Sequence, residues 1–376
     1  MELKLKSTAR IAIIAVILLI AAQLFTYNHR FFNWQDAVNV KAAKRTYFYQ
    51  GYEPASAERN IIIFADDLGF NKPDNPRTCR IWTDPNATTH EIHKSLSVYS
   101  KELDQYNELI KNFEPVTSIM EKLRKDSCVQ QSTQQLCDSL RLHSDGMLGM
   151  FPSKQLSFTS SGYVEPLLPP FRSHKFCQHP KHLMSLEYIV HDFEFMCRKL
   201  KPTSRLVLLD IGAALDFHGT NQPIIMLLKQ FEKFGFVFDH IYGFEISQKD
   251  PKEVYETSLP EEYISSYHWI NVGVSATEGA KLNPLHSVIK KFNEDDFVVV
   301  KLDIDTPSVE MPLVHQLLED SDGIYSKIID QFYFEHHIHL GELAPYWGQG
   351  VNGTVKDSLE LFSNLRKKGI PAHYWP

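Results

Sequence analysis

The chain has 376 residues, of which 43% are hydrophobic, so it holds enough apolar material for one large domain or two smaller ones. Its formal net charge is −7, and its pI is near 6.2. A broad nucleic-acid-binding surface needs clustered lysine and arginine, and no such cluster is found. Composition therefore excludes that class and favours small-molecule or protein partners.

The chain begins with a short tail, residues 1–10, followed by an apolar segment over residues 11–27. We predict that this segment is an uncleaved signal anchor that crosses the membrane once, close to the lower limit of roughly 17 residues for a spanning helix. The alternative is a cleaved signal peptide with Ala21 and Ala22 near the cut. Basic residues lie on both sides of the segment, so charge does not set its orientation.

Two sequons and the cysteines bear on the compartment. Asn86-Ala-Thr88 and Asn352-Gly-Thr354 fit the N-glycan acceptor pattern. The chain has five cysteines, and all of them precede residue 204, namely Cys79, Cys128, Cys137, Cys177 and Cys197. One or two disulfides would suit a secretory lumen, whereas five unrelated thiols would suit a cytosolic domain. We predict a single-pass glycoprotein of the ER or Golgi, with its C-terminal domain in the lumen.

Two regions lead up to the core. Residues 28–150 are predicted to form a polar stem and a mainly helical region, with an isolated strand over 60–65 and two helices within 90–145. Residues 151–203 form a lead-in segment that ends in an amphipathic helix over 186–200.

From residue 204 to 376, strand and helix patterns alternate, which predicts an α/β domain with a doubly wound, mostly parallel, Rossmann-like sheet. The predicted strands cover 206–209, 240–245, 269–274, 297–302 and 332–335, and residues 371–375 return toward the sheet. The predicted helices cover 224–234, 285–292 and 355–368, and Gly235 and Gly369 end the first and the last of them.

Polar residues lie where the predicted strands end: Asp210, Glu245, Asn271, Asp303 and Glu335. The carboxyl ends of parallel strands meet at one edge of a sheet, so these five side chains should converge on a ligand crevice. The turn from Asp210 to Ala213 should aim backbone N–H groups at a nucleotide-type cofactor, and Glu245 should accept hydrogen bonds from ribose hydroxyls.

The order of these motifs resembles the FkbM-type methyltransferase family over about residues 204–340. The matching segments are Leu209-Asp-Ile-Gly-Ala213, Phe244-Glu245, Asn271-Val-Gly-Val-Ser275, Val300-Lys-Leu-Asp-Ile-Asp305 and Phe334-Glu-His-His337. The resemblance implies a class I methyltransferase-like fold of seven strands that binds S-adenosylmethionine. It implies that Gly212 and Ala213 lie at the methionine end and Glu245 at the ribose. We add Asp210 and Asn271 to the cofactor-binding candidates.

Two departures from the family pattern bear on activity. Ala214 and Asp216 stand where the family has asparagine and a second glycine. Asp305-Thr-Pro-Ser-Val-Glu310 stands where the family has Glu-Gly-x-Glu, which predicts a longer and stiffer loop. Either the pocket binds a different ligand, or the chain is a non-catalytic descendant that uses the fold for binding.

The family typically methylates hydroxyl groups, so the resemblance implies a sugar or another small molecule as acceptor. Methylation of a hydroxyl needs a nearby base, and the candidates are Asp303, His336 and His337. The candidates for contact with the acceptor are three carboxylates: Asp305, Glu310 and Glu335.

A second function is open. Asp303-Ile-Asp305 also fits a metal-dependent nucleotide-sugar glycosyltransferase, in which Asp303 and Asp305 hold a divalent cation against a diphosphate. The metal set would be completed by residues that follow the last predicted strand: Glu335, His336, His337 and His339. This function leaves the Asp210–Ala213 turn and Glu245 unexplained.

Overall fold

The structure of the protein is a computed structural model. It describes residues 52, 54, 56–84, 86–125, 130–142, 150–151, 162–163, 168–178, 185–213, 223–348 and 350–375. The predicted anchor, residues 11–27, lies outside the described residues, as do Cys128, Ala214 and Asp216. In the described part of the chain, no helix has the length and apolar character that crossing a membrane requires.

The described strands form a two-stranded and a six-stranded sheet. The small sheet pairs β1 (Met150–Phe151) with β2 (Gly162–Tyr163) in antiparallel fashion. The large sheet contains β3 (Leu206–Ile211), β4 (His240–Phe244), β5 (Tyr267–Ile270), β6 (Phe297–Leu302), β7 (Ile329–Phe334) and β8 (Ala372–Tyr374). Its strand order is β5-β4-β3-β6-β7-β8, and every pair is parallel.

This sheet confirms the predicted α/β, Rossmann-like fold. Every residue of β3, β6 and β7 is buried, as expected for strands covered on both faces. Each of the five predicted strands has a counterpart, although the one predicted over 269–274 forms earlier, as β5, and the returning segment 371–375 supplies β8. The implied seven-strand sheet is wrong for the described residues, since six strands form there and all are parallel.

Helices connect the strands. In chain order they are α1 (Ser56–Ile63), α2 (Arg80–Thr83), α3 (His90–Asn112), α4 (Ile119–Lys125), α5 (Gln130–Asp138), α6 (Pro169–Arg172), α7 (His174–Gln178), α8 (Phe193–Lys199), α9 (Pro223–Lys233), α10 (Pro284–Ser287), α11 (Pro307–Glu319), α12 (Ile324–Ile328) and α13 (Val355–Lys367). Four short 3₁₀ segments are described as well, Leu186–Tyr188, Glu261–Tyr263, Ile289–Lys291 and Ala344–Tyr346, with one π-helix over Glu253–Ser258.

The predicted helices around the sheet are largely confirmed. Gly235 and Gly369 take positive φ angles of 78° and 90° just after α9 and α13, as predicted for helix ends. Thr354 and Asp357 form a capping box that fixes the start of α13. The predicted helix over 285–292 divides into α10 and a 3₁₀ turn.

The predicted strand over 60–65 is wrong, because residues 60–63 belong to α1 and residues 64–65 form the turn that follows it. Ala57, Ile61 and Ala65 are buried at a spacing of four residues, which is a helical repeat. Tertiary packing outweighs the β-branched isoleucine run that suggested a strand. Among the described residues of 90–145, three helices form where two were predicted, and residues 28–51 of the predicted stem lie outside the described part of the chain. The predicted helix over 186–200 forms only as a 3₁₀ turn and α8.

Two disulfides confirm the predicted covalent ties: Cys79–Cys177, which spans 98 residues, and Cys137–Cys197, which spans 60. The helical region is also bound to the sheet domain. The Glu342 carboxylate accepts hydrogen bonds from the backbone N–H groups of Thr78 and Cys79 at 3.2 and 2.9 Å. The described residues accordingly belong to one compact unit.

Candidate functional site

The strand order reverses between β3 and β6, and this is the topological switch point at which open α/β sheets bind ligands. Asp210 lies within β3 near its carboxyl end, and Asp303 and Glu335 directly follow β6 and β7. Glu245 and Asn271 directly follow β4 and β5. The five polar residues therefore lie along one edge of the sheet, as predicted.

Lys301 is the centre of a buried charge cluster at the switch point. Its ammonium lies 3.2 Å from Asp210 Oδ1 and 3.2 Å from Asp303 Oδ2, and it donates a 2.7 Å hydrogen bond to Gly212 O. Burial lowers the pKa of Lys301, but the two carboxylates raise it more, so its net pKa is raised and it stays protonated. Sequence reasoning did not select Lys301, although a lysine inside the apolar run of β6 was a usable signal.

Gly212 and Ala213 do not present free backbone donors to a ligand. Both N–H groups donate to Phe244 O, at 3.0 and 2.8 Å. Gly212 has a φ of 92°, and a Cβ built there would lie 1.6 Å from Asp303 O. The glycine is therefore required by the close approach of the β6 end, and the expectation that these N–H groups point at a cofactor is wrong.

Asn271 positions the loop that carries Glu245. Its Nδ2 donates to Glu245 O and Ser247 O, both at 2.8 Å, and its Oδ1 accepts from Lys249 N at 3.0 Å. These bonds occupy the Asn271 amide, while Glu245 is half-buried beside the switch point. Of the two predicted residues, Glu245 is the better placed to contact a ligand.

Tyr267 was missed by sequence reasoning. It lies on β5 with its hydroxyl against Gly243, where a Cβ would be 2.3 Å from the oxygen. Burial raises the pKa of this hydroxyl, and the Asp210 and Glu245 carboxylates raise it further. A protonated phenol thus lies close to both acids.

A second cluster forms after β7. His337 Nε2 lies 2.8 Å from Glu335 Oε2 and 3.7 Å from Asp305 Oδ1. Trp347 Nε1 donates to Glu335 Oε1 at 2.8 Å, and the Trp347 ring stacks on His337 with centroids 4.9 Å apart. His337 is buried, whereas the Asp305 side chain is 83% exposed. We call Asp305, Glu335 and His337 the triad.

The segment between Asp305 and Glu310 is not the long stiff loop that was predicted. Asp305 takes a φ of 53°, and α11 begins at Pro307. Glu310 is buried in the first turn of this helix and accepts a 2.8 Å bond from Ile304 N. Burial raises the pKa of Glu310 to about 7, against the opposing effects of that bond and of His337. The carboxyl group faces the β6 end and is not exposed to an acceptor.

The two other histidines that were predicted to bind a metal do not join the triad. His336 is buried, its ring stacks on Phe334, and burial lowers its pKa to about 3, so it is neutral. His339 contacts Asn75 through Nδ1 at 3.1 Å. Asp303 pairs with Lys301 instead of joining Asp305. Asp303 and Asp305 therefore do not act as a matched pair.

A polar cleft of about 540 Å³ lies in the N-terminal region, within residues 67–87. Its walls carry charges of both signs, including Asp67, Lys72, Asp74, Arg77 and Arg80. The same segment touches the chain after β7, where Gly341 N donates to Pro76 O at 3.0 Å. Sequence reasoning did not select this cleft, although one continuous segment of the chain lines it.

No family model, no curated protein and no solved structure matches this chain.

Proposed function

We propose that this protein binds S-adenosylmethionine at the switch point between β3 and β6 and methylates a hydroxyl group of a small-molecule or glycan acceptor. The strand order carries the proposal, because a parallel sheet that reverses at this point binds nucleotide-type ligands outside its carboxyl edge. Glu245 and Tyr267 supply a carboxylate and a phenol beside that point.

The ribose end of such a cofactor fits the described residues better than its methionine end. Glu245 is half-buried on a loop that Asn271 holds in place, and Ser247 N donates to its Oε1 at 2.5 Å, so Oε2 is the oxygen that would accept a hydrogen bond from a diol. The N–H groups of Gly212 and Ala213 are already bonded to Phe244 O. The methionine end must therefore be held by other groups.

When bound, the cofactor supplies an electrophilic methyl group, and the protein must take a proton from the acceptor hydroxyl. Asp303 is held by Lys301 and is a weakened base, and His336 is buried in the core. His337 shares its Nε2 with the Glu335 carboxylate, an arrangement that raises the basicity of an imidazole. His337 is the base that we favour among the three predicted candidates.

We further propose a secretory location, with attachment to the membrane through residues 11–27. Two disulfides are typical of an oxidising compartment. Asn86 and Asn352, the two sequon asparagines, are both exposed, as glycan attachment requires.

The test is isothermal titration of the full chain with S-adenosylmethionine. A fragment that begins at residue 150 is unsuitable, because it would lack Cys79 and Cys137 and so break both disulfides. We expect Glu245→Ala to weaken binding about 10- to 100-fold, since it removes a charged hydrogen-bond acceptor. Glu256→Gln, an exposed acid on the neighbouring π-helix, is the control and should change nothing.

Absence of heat with S-adenosylmethionine would overturn this proposal. The competing function, metal-dependent glycosyl transfer, has one observation in its favour, namely the triad beside Asp303. Heat with a nucleoside-diphosphate sugar that appears only when Mn²⁺ is present would support that function instead.

A further inference from the structure

We infer that Asp305, Glu335 and His337 form a binding site for one divalent cation of the Mn²⁺ type. Their ligand atoms all lie within 4.8 Å of one another. Within the part of the chain that the structure describes, no other group of three His, Cys, Asp or Glu side chains meets that geometry. The inference goes beyond the proposed methyl transfer and does not require a bound methyl donor. A cation bound to His337 Nε2 would prevent that nitrogen from acting as the base proposed above, so the two roles of His337 are mutually exclusive.

The donor set determines the class of ion. Two carboxylates and one imidazole give two hard oxygen donors and one nitrogen donor, a set that suits Mn²⁺ and related first-row cations. No cysteine lies among the three, so a thiolate site for zinc is excluded here. Three protein ligands leave other positions open to water or to an oxygen atom of a substrate.

Two of the ligands are held in place before any ion arrives. Trp347 Nε1 binds Glu335 Oε1, which leaves Glu335 Oε2 directed at His337. The His337 ring lies against the Trp347 ring, and His337 O accepts a 2.9 Å hydrogen bond from Asn352 N. Outer contacts of this kind orient metal ligands and tune their affinity.

The nitrogen of the His337 ring that makes polar contacts is the one that faces the other two residues of the triad. Its Nδ1 is buried and makes no hydrogen bond to a described residue, so Nε2 makes the ring's only such contacts there. Nε2 is the nitrogen that faces Glu335 and Asp305. A cation at this point would replace the proton that Nε2 now shares with Glu335.

Charge around the triad is unbalanced in the direction that favours a cation. Four acids face this part of the edge, namely Asp303, Asp305, Glu310 and Glu335. Among the described residues, their ion pairs involve only Lys301 and His337, and Lys301 is shared with Asp210. Glu310 is buried and Glu335 is half-buried, so ionised carboxylates at these positions are costly without counter-charge, which a divalent cation would supply.

Asp305 is placed for this role by an unusual backbone. Its φ of 53° lies in the left-handed region, and Asn75 is the only other non-glycine residue with a positive φ in the described ranges. Backbone strain of this kind is concentrated at functional sites. The exposed Asp305 carboxylate lies 3.7 Å from His337 Nε2.

The experiment is a titration of the full chain with Mn²⁺, after chelator treatment and without any methyl donor, followed by calorimetry and by the electron paramagnetic resonance signal of free Mn²⁺. We expect one Mn²⁺ per chain. Asp305→Asn should weaken binding at least about tenfold, because it removes one charged ligand. Asparagine tolerates the left-handed conformation, so this variant should fold normally.

Glu335→Gln and His337→Ala should weaken Mn²⁺ binding further, and thermal unfolding would check that both variants fold. Asp322→Asn, an exposed acid that follows α11, is the matched control and should leave binding unchanged. Equal affinity in the wild type and Asp305→Asn, or binding of Zn²⁺ but not Mn²⁺, would overturn the assignment. Because no methyl donor is present, a failure to bind S-adenosylmethionine would not affect this result.

Discussion

Two clusters at the same edge of the sheet contrast in how their charges are balanced. At the end of β3 and β6, one ammonium, that of Lys301, lies between the carboxylates of Asp210 and Asp303 and also bonds Gly212 O. After β7, the triad contains two carboxylates and one imidazole and has no permanent cation of its own. The charges of the first cluster are paired within the cluster, whereas the second cluster carries acidic groups that can bind a cation.

This contrast shows that position at the ligand edge does not make a residue a ligand contact. Asp210, Gly212 and Asn271 lie at that edge, yet none of them is free for a ligand. The polar groups of these residues hold neighbouring strands and loops, and Gly212 allows two of those segments to approach closely. Charge balance separates the residues that hold the sheet together from those that can bind something else. The predictions below test this separation.

The largest effect is expected from Lys301→Met. The substitution leaves Asp210 and Asp303 buried without a cation, which should lower the free energy of unfolding by about 3–5 kcal/mol in a urea titration. Lys201→Met removes the cation of an exposed pair with Asp295 and should cost less than about 1 kcal/mol. If the two variants lost similar amounts of unfolding free energy, the Lys301 cluster would not be an important source of stability at this edge of the sheet.

Gly212→Ala should come next. The added methyl group meets Asp303 O, and the φ of 92° is unfavourable for alanine, so we expect a loss of about 2–4 kcal/mol in unfolding free energy. Gly279→Ala is the matched control, because Gly279 also has a positive φ, of 75°, but has open space around it. That variant should lose only about 1–2 kcal/mol, and the difference between the two measures the contact with β6.

The third prediction concerns Asp192, a buried acid that lies away from the ligand edge, and its effect on folding stability. This N-cap of α8 accepts one bond from Phe195 N, and burial raises its pKa to about 7 from the usual 3.8. The folded state therefore holds its proton more tightly than the unfolded state between about pH 4 and 7, and stability should fall as pH rises through that window. Relative to Asp192→Asn, the wild type should lose about 1–3 kcal/mol between pH 5 and 7.

Denaturant unfolding at each pH measures this difference. A wild type and an Asp192→Asn variant with parallel pH profiles would contradict the prediction. Because asparagine can also cap a helix, the substitution should leave α8 intact.

The smallest effect is expected from Trp347→Phe, which keeps an aromatic ring against His337 and removes the donor to Glu335. We expect Mn²⁺ affinity to fall about tenfold while the unfolding temperature stays nearly the same. Trp82→Phe removes a comparable indole bond, to Pro170 O, far from the triad in the sequence, and should leave Mn²⁺ affinity unchanged. An unaltered affinity in Trp347→Phe would show that Glu335 needs no outer support.

Sequence reasoning located the strands and their polar ends because both signals are local. An apolar run followed by an acid, as in β3 and β6, is readable from adjacent residues. The Ile-rich run of α1 was misassigned because its burial pattern depends on packing with distant helices. A usable signal at α11 was overlooked, since Thr306 and Pro307 are typical of the start of a helix.

The role of each edge residue could not be predicted in the same way. Lys301 acquires its role from Asp210 on the adjacent strand, and Gly212 from the carbonyl of Asp303, directly after β6. The triad joins Asp305 to residues about thirty positions later, and a left-handed residue brings them together. Contacts of this kind depend on the register of the strands and on the φ angles of single residues. Neither can be read from the order of motifs in the sequence.

The four cysteines that form disulfides in the described part of the chain all precede β3, the last of them being Cys197. During synthesis, both bridges can therefore close before any strand of the large sheet has left the ribosome. The contacts of Thr78 with Glu342 and of Glu58 with Arg366 wait for segments that emerge much later. Closure of both bridges at that stage would complete the covalent ties of the N-terminal region before the sheet assembles on it and before the ligand edge exists.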